Sequence, residues 1–187
     1  ERGESQPLTR RLGELGKTVI SVKAGDEYKR IGEDEYQIRA GVKNDYEALV
    51  KEMIDEAVCT MEIIHLWSVG DNGNGHEELK PEIYFKLEQQ RGYYSLLYLA
   101  QAITALKISL PIKISVISNN LHQVSGGEKN QPEKSPMLAF SKVVPQETEN
   151  ITCRVVDIVP PSPESKAELS LIDGLITEIE TDSPERA

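Results

Sequence analysis

Three runs of β-branched and other apolar residues, Ile63–Trp67, Ile112–Ser118 and Ile151–Ile158, alternate with stretches whose apolar residues recur at helical spacing. A strand followed by a helix and then by another strand has to cross over, so this alternation dictates a parallel sheet covered by helices. Ile63–Trp67 is apolar at nearly every position rather than at every second one, as burial on both faces requires. Between the runs, the spacing predicts a long helix from about Pro81 to Leu106. It predicts another from Glu133 to Gln146, bounded or interrupted by Pro136 and Pro145, and a last one from Glu164 to about Glu180. Upstream, Leu8, Leu12 and Leu15 lead to Gly16, which marks a helix of about Ser5–Leu15 and its stop. Thr18–Val22 reads as a strand, and Tyr36–Ile38 as a weaker one after the polar turn Gly32-Glu33-Asp34. Asn44 is placed to cap a helix reaching about Val58. The reading is a Rossmann-like α/β fold, a parallel sheet with helices on both faces. The chain opens with a helix where a doubly wound half opens with a strand. The first strand is therefore expected to be missing, or to lie upstream of residue 1.

Such a fold invites a nucleotide, and its requirements are testable on the residues. Dinucleotide binding needs a Gly-rich turn before the first helix, because backbone N–H groups must approach the pyrophosphate with no Cβ in the way. Only Gly3 stands there, followed by the like-charged Glu4; Gly13 and Gly16 come too late. Gly73 and Gly75, and Gly126 and Gly127, match neither dinucleotide nor Walker spacing. Ketone reduction on this topology uses a Ser at a strand end with a Tyr and a Lys on the next helix, the Tyr giving its proton to the carbonyl oxygen. Ser118 ends a strand in the corresponding place and Lys142 follows, but Tyr98 is the last tyrosine of the chain. That absence argues decisively against self-contained reduction.

Other chemistry is as poorly served. His65, His76 and His122 are scattered, without metal-ligand spacing. His65 reads as a satisfied core residue and His76 as a solvated loop residue. Cys59 and Cys153 flank or enter apolar elements and are expected to be buried, reduced thiols, which disfavours a nucleophilic pair. No Gly-x-Ser-x-Gly elbow is present, and the sequon Asn150-Ile151-Thr152 opens a predicted strand and reads as chance. Tyr84, Phe85, Tyr93, Tyr94 and Tyr98 offer a recognition surface, with packing the plainer role. Glu77, Glu78, Glu82 and Glu88 read as a solvated face or one side of an interdomain contact. With 21 Lys and Arg against 31 Asp and Glu, the formal net charge of −10 has the wrong sign for tracking phosphates. No nucleic acid and no membrane are expected as partners, and a cytoplasmic location is.

Several segments together resemble one family. They are His65-Leu66-Trp67-Ser68-Val69, the Gly92–Ala102 helix segment, Ile114–Leu121, Pro132-Glu133-Lys134, Lys142–Glu147 and Asn150–Ile158. They resemble the structural subdomain of modular type I polyketide synthase ketoreductases, over roughly residues 8–180. The resemblance implies a truncated, short-chain-reductase-like fold that holds no catalytic, cofactor-binding or metal-binding residues. It implies that NADPH binds in a separate catalytic subdomain of the same polypeptide, which reduces the β-keto group of acyl chains on an acyl carrier protein. On this reading residues 1–180 form the structural subdomain and residues 181–187 a linker. The partners implied are the catalytic subdomain, and in second place the carrier protein and neighbouring synthase domains. Two other readings remain open. One is a free-standing NAD(P)-dependent reductase-like enzyme. The other is a small-ligand-binding α/β module using the strand ends near Ser68, Ser118 and Asn119, where open α/β sheets bind.

Overall fold

A computed structural model describes residues 5–56, 60–70, 80–122, 130–162 and 165–181. Cys59, Gly73, Gly75, His76, Glu77, Glu78, Gly126, Gly127 and residues 182–187 of the expected linker lie outside the described residues. The chain divides into two compact units, residues 22–158 and residues 1–21 with 159–187.

The larger unit is built on a parallel sheet of β4 (Met61–Ser68), β5 (Ile112–Ser118) and β6 (Ile151–Asp157), in the order β4-β5-β6. Its register pairs Met61 with Ile112 and Ile112 with Ile151, and runs on to Ser118 opposite both Ser68 and Asp157. The central strand explains the apolar runs. Ile112, Ile114, Val116 and Ile117 are each at most 1% exposed, so apolar side chains on both faces of β5 are covered. Three elements before it, β1 (Ser21–Ala24), β2 (Lys29–Arg30) and β3 (Glu35–Ile38), form a separate small sheet in the order β1-β3-β2. The parallel sheet expected from the alternation is thus β4-β5-β6, and among the described residues the two strands expected upstream join a second, separate sheet.

The first strand also sits later than Thr18–Val22, because pairing rather than β-branching sets its limits. The small sheet includes Ser21–Ala24, and Gly25 N–H donates to the Ile38 carbonyl at 2.8 Å. Exposed Lys29 and Arg30 carry no hydrophobic signal and pair antiparallel with β3. The Arg30 guanidinium donates to the carbonyls of Gly32 and Glu33 in the intervening turn and lies 5.3 Å from the centroid of the Tyr36 ring.

Helix α2 (Lys43–Glu56) begins one residue before Asn44, which therefore lies in its first turn rather than capping it. The expected helix from Pro81 is one continuous rod of α3 (Pro81–Gln89), a π-turn (Gln90–Tyr94) and α4 (Ser95–Ala105). The proline-bounded helix resolves into a 3₁₀ turn, Pro132–Lys134, and α5 (Pro136–Glu147). Pro136 fits at its first turn, where an absent N–H costs nothing. Among the described residues, no helix is long and apolar enough to cross a membrane.

The smaller unit holds α1 (Ser5–Glu14) and α6 (Lys166–Glu180). Gly16 ends α1 at φ 78°, a conformation that L side chains avoid. Its N–H donates to Gly13 O at 2.9 Å and the N–H of Lys17 donates to Leu12 O at 3.1 Å, the paired bonds of a Schellman stop. Helix α6 buries Ile172, Leu175, Ile176 and Ile179 on one stripe, and Arg11 pairs with Asp173 at 2.9 Å. Its start is capped by Ser165, whose hydroxyl accepts from the N–H of Glu168 at 3.2 Å.

Candidate functional site

In open α/β sheets, ligands bind beyond the C-terminal ends of the parallel strands. Here those ends carry Ser68, Ser118 with Asn119, and Asp157. Ser68 is 2% exposed, and Ser118 and Asn119 are 0% exposed. An irregularity in the β4–β5 register between His65 and Ser68 brings Ser68 level with Ser118. The sequence-predicted trio is therefore brought together, but its polar atoms are turned on one another. Asn119 Nδ2 donates to Gly70 O at 2.9 Å, and Gly70 N–H donates back to Asn119 Oδ1 at 3.0 Å. This two-way amide clasp ties the end of β4 to the end of β5.

A buried lysine completes the clasp. Lys134, 3% exposed, donates from Nζ to Asn119 Oδ1 at 2.7 Å and to the Asn119 carbonyl at 3.2 Å. The 3₁₀ turn delivers it, and Gln131 N–H anchors that turn by donating to Asn120 O at 2.9 Å. Asn120 itself has φ 61°, a left-handed position that asparagine tolerates better than most residues. On the other side, the Asp157 carboxylate accepts from the backbone N–H of Leu121 at 3.1 Å and of His122 at 2.8 Å. The segment leaving β5 is thereby fastened to the end of β6. Sequence reasoning read Pro132-Glu133-Lys134 only as part of a family likeness. Its lysine carries no local mark of burial.

The floor of the crevice is closed by packing. Ser68 Oγ donates to Met137 Sδ at 2.8 Å, and Ser118 Oγ donates to Ser68 O at 3.4 Å. Gly92 of the π-turn comes so close that a Cβ there would lie 3.1 Å from Met137 Sδ and 3.2 Å from Ser68 Oγ. Glycine is required because the helix and the strand end touch.

His65 supports the same turn from below. Its Nε2–H donates to Ser95 Oγ at 2.8 Å, and the Ser95 hydroxyl points its proton at the carbonyls of Arg91, 2.6 Å away, and Gly92, 2.8 Å away. A π-turn frees helical carbonyls, and Ser95 takes them up. Since Ser95 accepts from the ring, the Nε2 tautomer is fixed. His65 Nδ1 is then a buried acceptor with no hydrogen bond, so the histidine is only half satisfied, against the expectation of a fully satisfied one. Burial pulls its pKa down to about 4, so the ring is neutral at pH 7.

The remaining candidates lie apart from this crevice. Lys142 is exposed on α5, and His122 is exposed beyond β5. Cys153 is a free thiol, half-buried rather than fully buried, and burial pushes its pKa up to about 12. The aromatic cluster is divided: Tyr98 is half-buried, whereas Phe85 is 54% and Tyr94 is 41% exposed. Packing inside the protein therefore does not account for those two rings. Asp45 sits at the start of α2, held by the Arg39 guanidinium at 2.7 and 2.9 Å and by the Arg39 N–H at 3.0 Å. These bonds lower its pKa, and they fix the entry to α2 rather than build a reactive group.

Residues 5–178 match the family model described as beta-ketoacyl synthase-like, N-terminal. No curated protein matches the chain. Among solved structures, it is similar to an N-terminal ketoreductase from the macrolactin assembly line (TM-score 0.73, 20% identity), covering 97% of this chain and 35% of that one. It is also similar to a structure holding the adenylation, ketoreductase and pseudo Asub domains of a keto acid-selecting NRPS module (TM-score 0.71, 23% identity), covering 91% of this chain and 14% of that one. A third is a short chain dehydrogenase from Burkholderia cenocepacia J2315 in complex with NADP (TM-score 0.69, 14% identity), covering 97% and 81%. The chain thus has the Rossmann-like α/β fold of ketoreductases and short chain dehydrogenases, and spans 35% or less of the length of the first two structures.

Proposed function

Because the chain belongs to the beta-ketoacyl synthase-like, N-terminal family and has the fold of ketoreductases, we propose that it is a non-catalytic scaffold. In this role it stabilises and orients the NADPH-dependent half of a polyketide synthase ketoreductase. That half reduces the β-keto group of chains presented by an acyl carrier protein. The observation that carries the proposal is the self-satisfied crevice. At the strand ends, where open α/β sheets bind ligands, Asn119, Gly70, Lys134 and Asp157 have spent their hydrogen bonds on each other and on the chain. The helix after Ser118 brings Lys142 but no tyrosine, so a carbonyl placed at Ser118 has no phenolic proton donor on that helix. Residues 1–180 act as the scaffold, with 181–187 leading toward the reductase half.

The sheet edges suggest how a scaffold would be held. Among the described residues, β4 and β6 are the outer strands of the parallel sheet, and Ile63, Ile64, Leu66 and Trp67 on β4 are only half-buried. An outer strand with apolar side chains is a template for pairing. Amide exchange tests this. The scaffold reading expects β4 and β6 amides to become protected when the reductase half is added, and expects no turnover of a β-keto thioester with NADPH by this chain alone. Turnover without the reductase half contradicts it.

The family's description invites a second reading, acyl transfer by a nucleophile. A thiol serves in that role only as its thiolate. Cys153, with its pKa pushed up to about 12, is protonated at neutral pH and half-buried in a strand, which weighs against it.

A further inference from the structure

The π-turn has a second consequence, on the face of the helix away from Ser68. Lys86, Gln90, Tyr94 and Tyr98 follow one another at four-residue steps along α3, the turn and α4. In an uninterrupted α-helix such a series drifts by about 40° per step and fans over about 120°. One π-turn absorbs about one extra residue and takes back about 100° of that drift. The four side chains are thereby drawn into a row. The rings of Tyr94 and Tyr98 stack at 27° with centroids 6.0 Å apart, as neighbours in a row should.

This row lines a groove of about 290 Å³ with Phe85 and Gly41. Phe85 is 54% and Tyr94 41% exposed, an aromatic surface that the fold leaves uncovered. The lining residues that carry polar groups are Lys86, Gln89, Gln90 and the two tyrosines. Among the described residues, no acidic residue lines the groove, although acidic residues outnumber basic ones 31 to 21 in the chain. Its charge is therefore opposite to that of the protein as a whole. Rigid aromatic anchors beside a cation are the composition of an interface hot spot.

We propose that this groove docks an acidic peptide segment of a partner protein, with an apolar side chain lying on the tyrosine rings and a carboxylate paired with Lys86. The site is separate from the strand-end crevice and stands whether or not the scaffold reading does. The test is selection of a random-peptide display library on the full chain, followed by titration of synthetic copies of the selected peptides. The expected winners combine an apolar anchor with Asp or Glu, and lose at least tenfold in affinity on both Lys86→Glu and Tyr94→Ser. Both substitutions sit on exposed positions and are expected to leave the melting temperature within a few degrees. Failure to select any peptide, winners without acidic residues, or winners that bind both variants as well as the parent would overturn the proposal.

Discussion

Replacing Asn119 by alanine removes the atom group on which the strand-end crevice closes. Among the described residues the side chain, itself 0% exposed, makes two hydrogen bonds with half-buried Gly70 and one with buried Lys134. Truncation orphans the Gly70 N–H and C=O and leaves the Lys134 ammonium with one of its two Asn119 acceptors, the carbonyl at 3.2 Å. Each unmet group costs about 1–3 kcal/mol, so for the two Gly70 groups a loss of about 2–6 kcal/mol is expected. In a domain of this size each kcal/mol is worth about 2–4 °C, which makes the expected fall in melting temperature about 4–24 °C. Asn119→Asp provides the contrast. It keeps the acceptors for Gly70 N–H and Lys134 and gives up only the donor to Gly70 O, so it should lose clearly less than the alanine variant. Thermal and urea melts followed by circular dichroism read both. If Asn119→Ala melts within about 2 °C of the parent, or if the two variants are equal, the clasp does not hold the crevice shut.

His65 gives a pH signature. Its folded pKa of about 4 lies below the ordinary 6.5, so between these values the unfolded chain binds the proton and the folded one does not. Its contribution is complete above pH 6.5 and is lost as pH falls toward 4, by about 3 kcal/mol in all, and His65→Phe should flatten that part of the stability–pH curve. Gly92→Val should cost about 1–3 kcal/mol through contact with Met137 and Ser68, and combining it with Met137→Ala should recover part of the loss, seen in a double-mutant cycle of urea melts. Ser165→Ala removes the α6 cap and should lower stability by about 1 kcal/mol, with faster amide exchange at Glu168.

The strands and helices of the larger unit were readable because each has one strong local cause. Burial makes β5 rich in β-branched apolar residues, Ile112, Ile114, Val116 and Ile117, and Gly16 announces the end of α1 by its backbone alone. What stayed hidden depends on partners distant in sequence. Lys29 and Arg30 form a strand only because β3 lies beside them, and Ser21–Ala24 is chosen over Thr18–Val22 by the small sheet it joins. The expected start of the last helix at Glu164 falls two residues early: α6 begins at Lys166 behind the cap Ser165, although Ser165-Lys166-Ala167-Glu168 carries the serine and glutamate spacing of a helix start. The residues of the crevice were legible as a place, through Ser68, Ser118 and Asn119, but not as a closed network. Nothing local marks Lys134 as a buried ammonium, since lysines are usually exposed and its partner is fifteen residues away. The π-turn is invisible for the same reason: the helical pattern persists through it, and only Gly92 against Met137 and Ser68 explains why the helix must bulge there.

The most direct test is calorimetric titration of NADPH into this chain on its own. A crevice whose hydrogen-bonding groups are already engaged should give no saturable heat at millimolar nucleotide. A one-to-one isotherm with micromolar affinity would contradict the account.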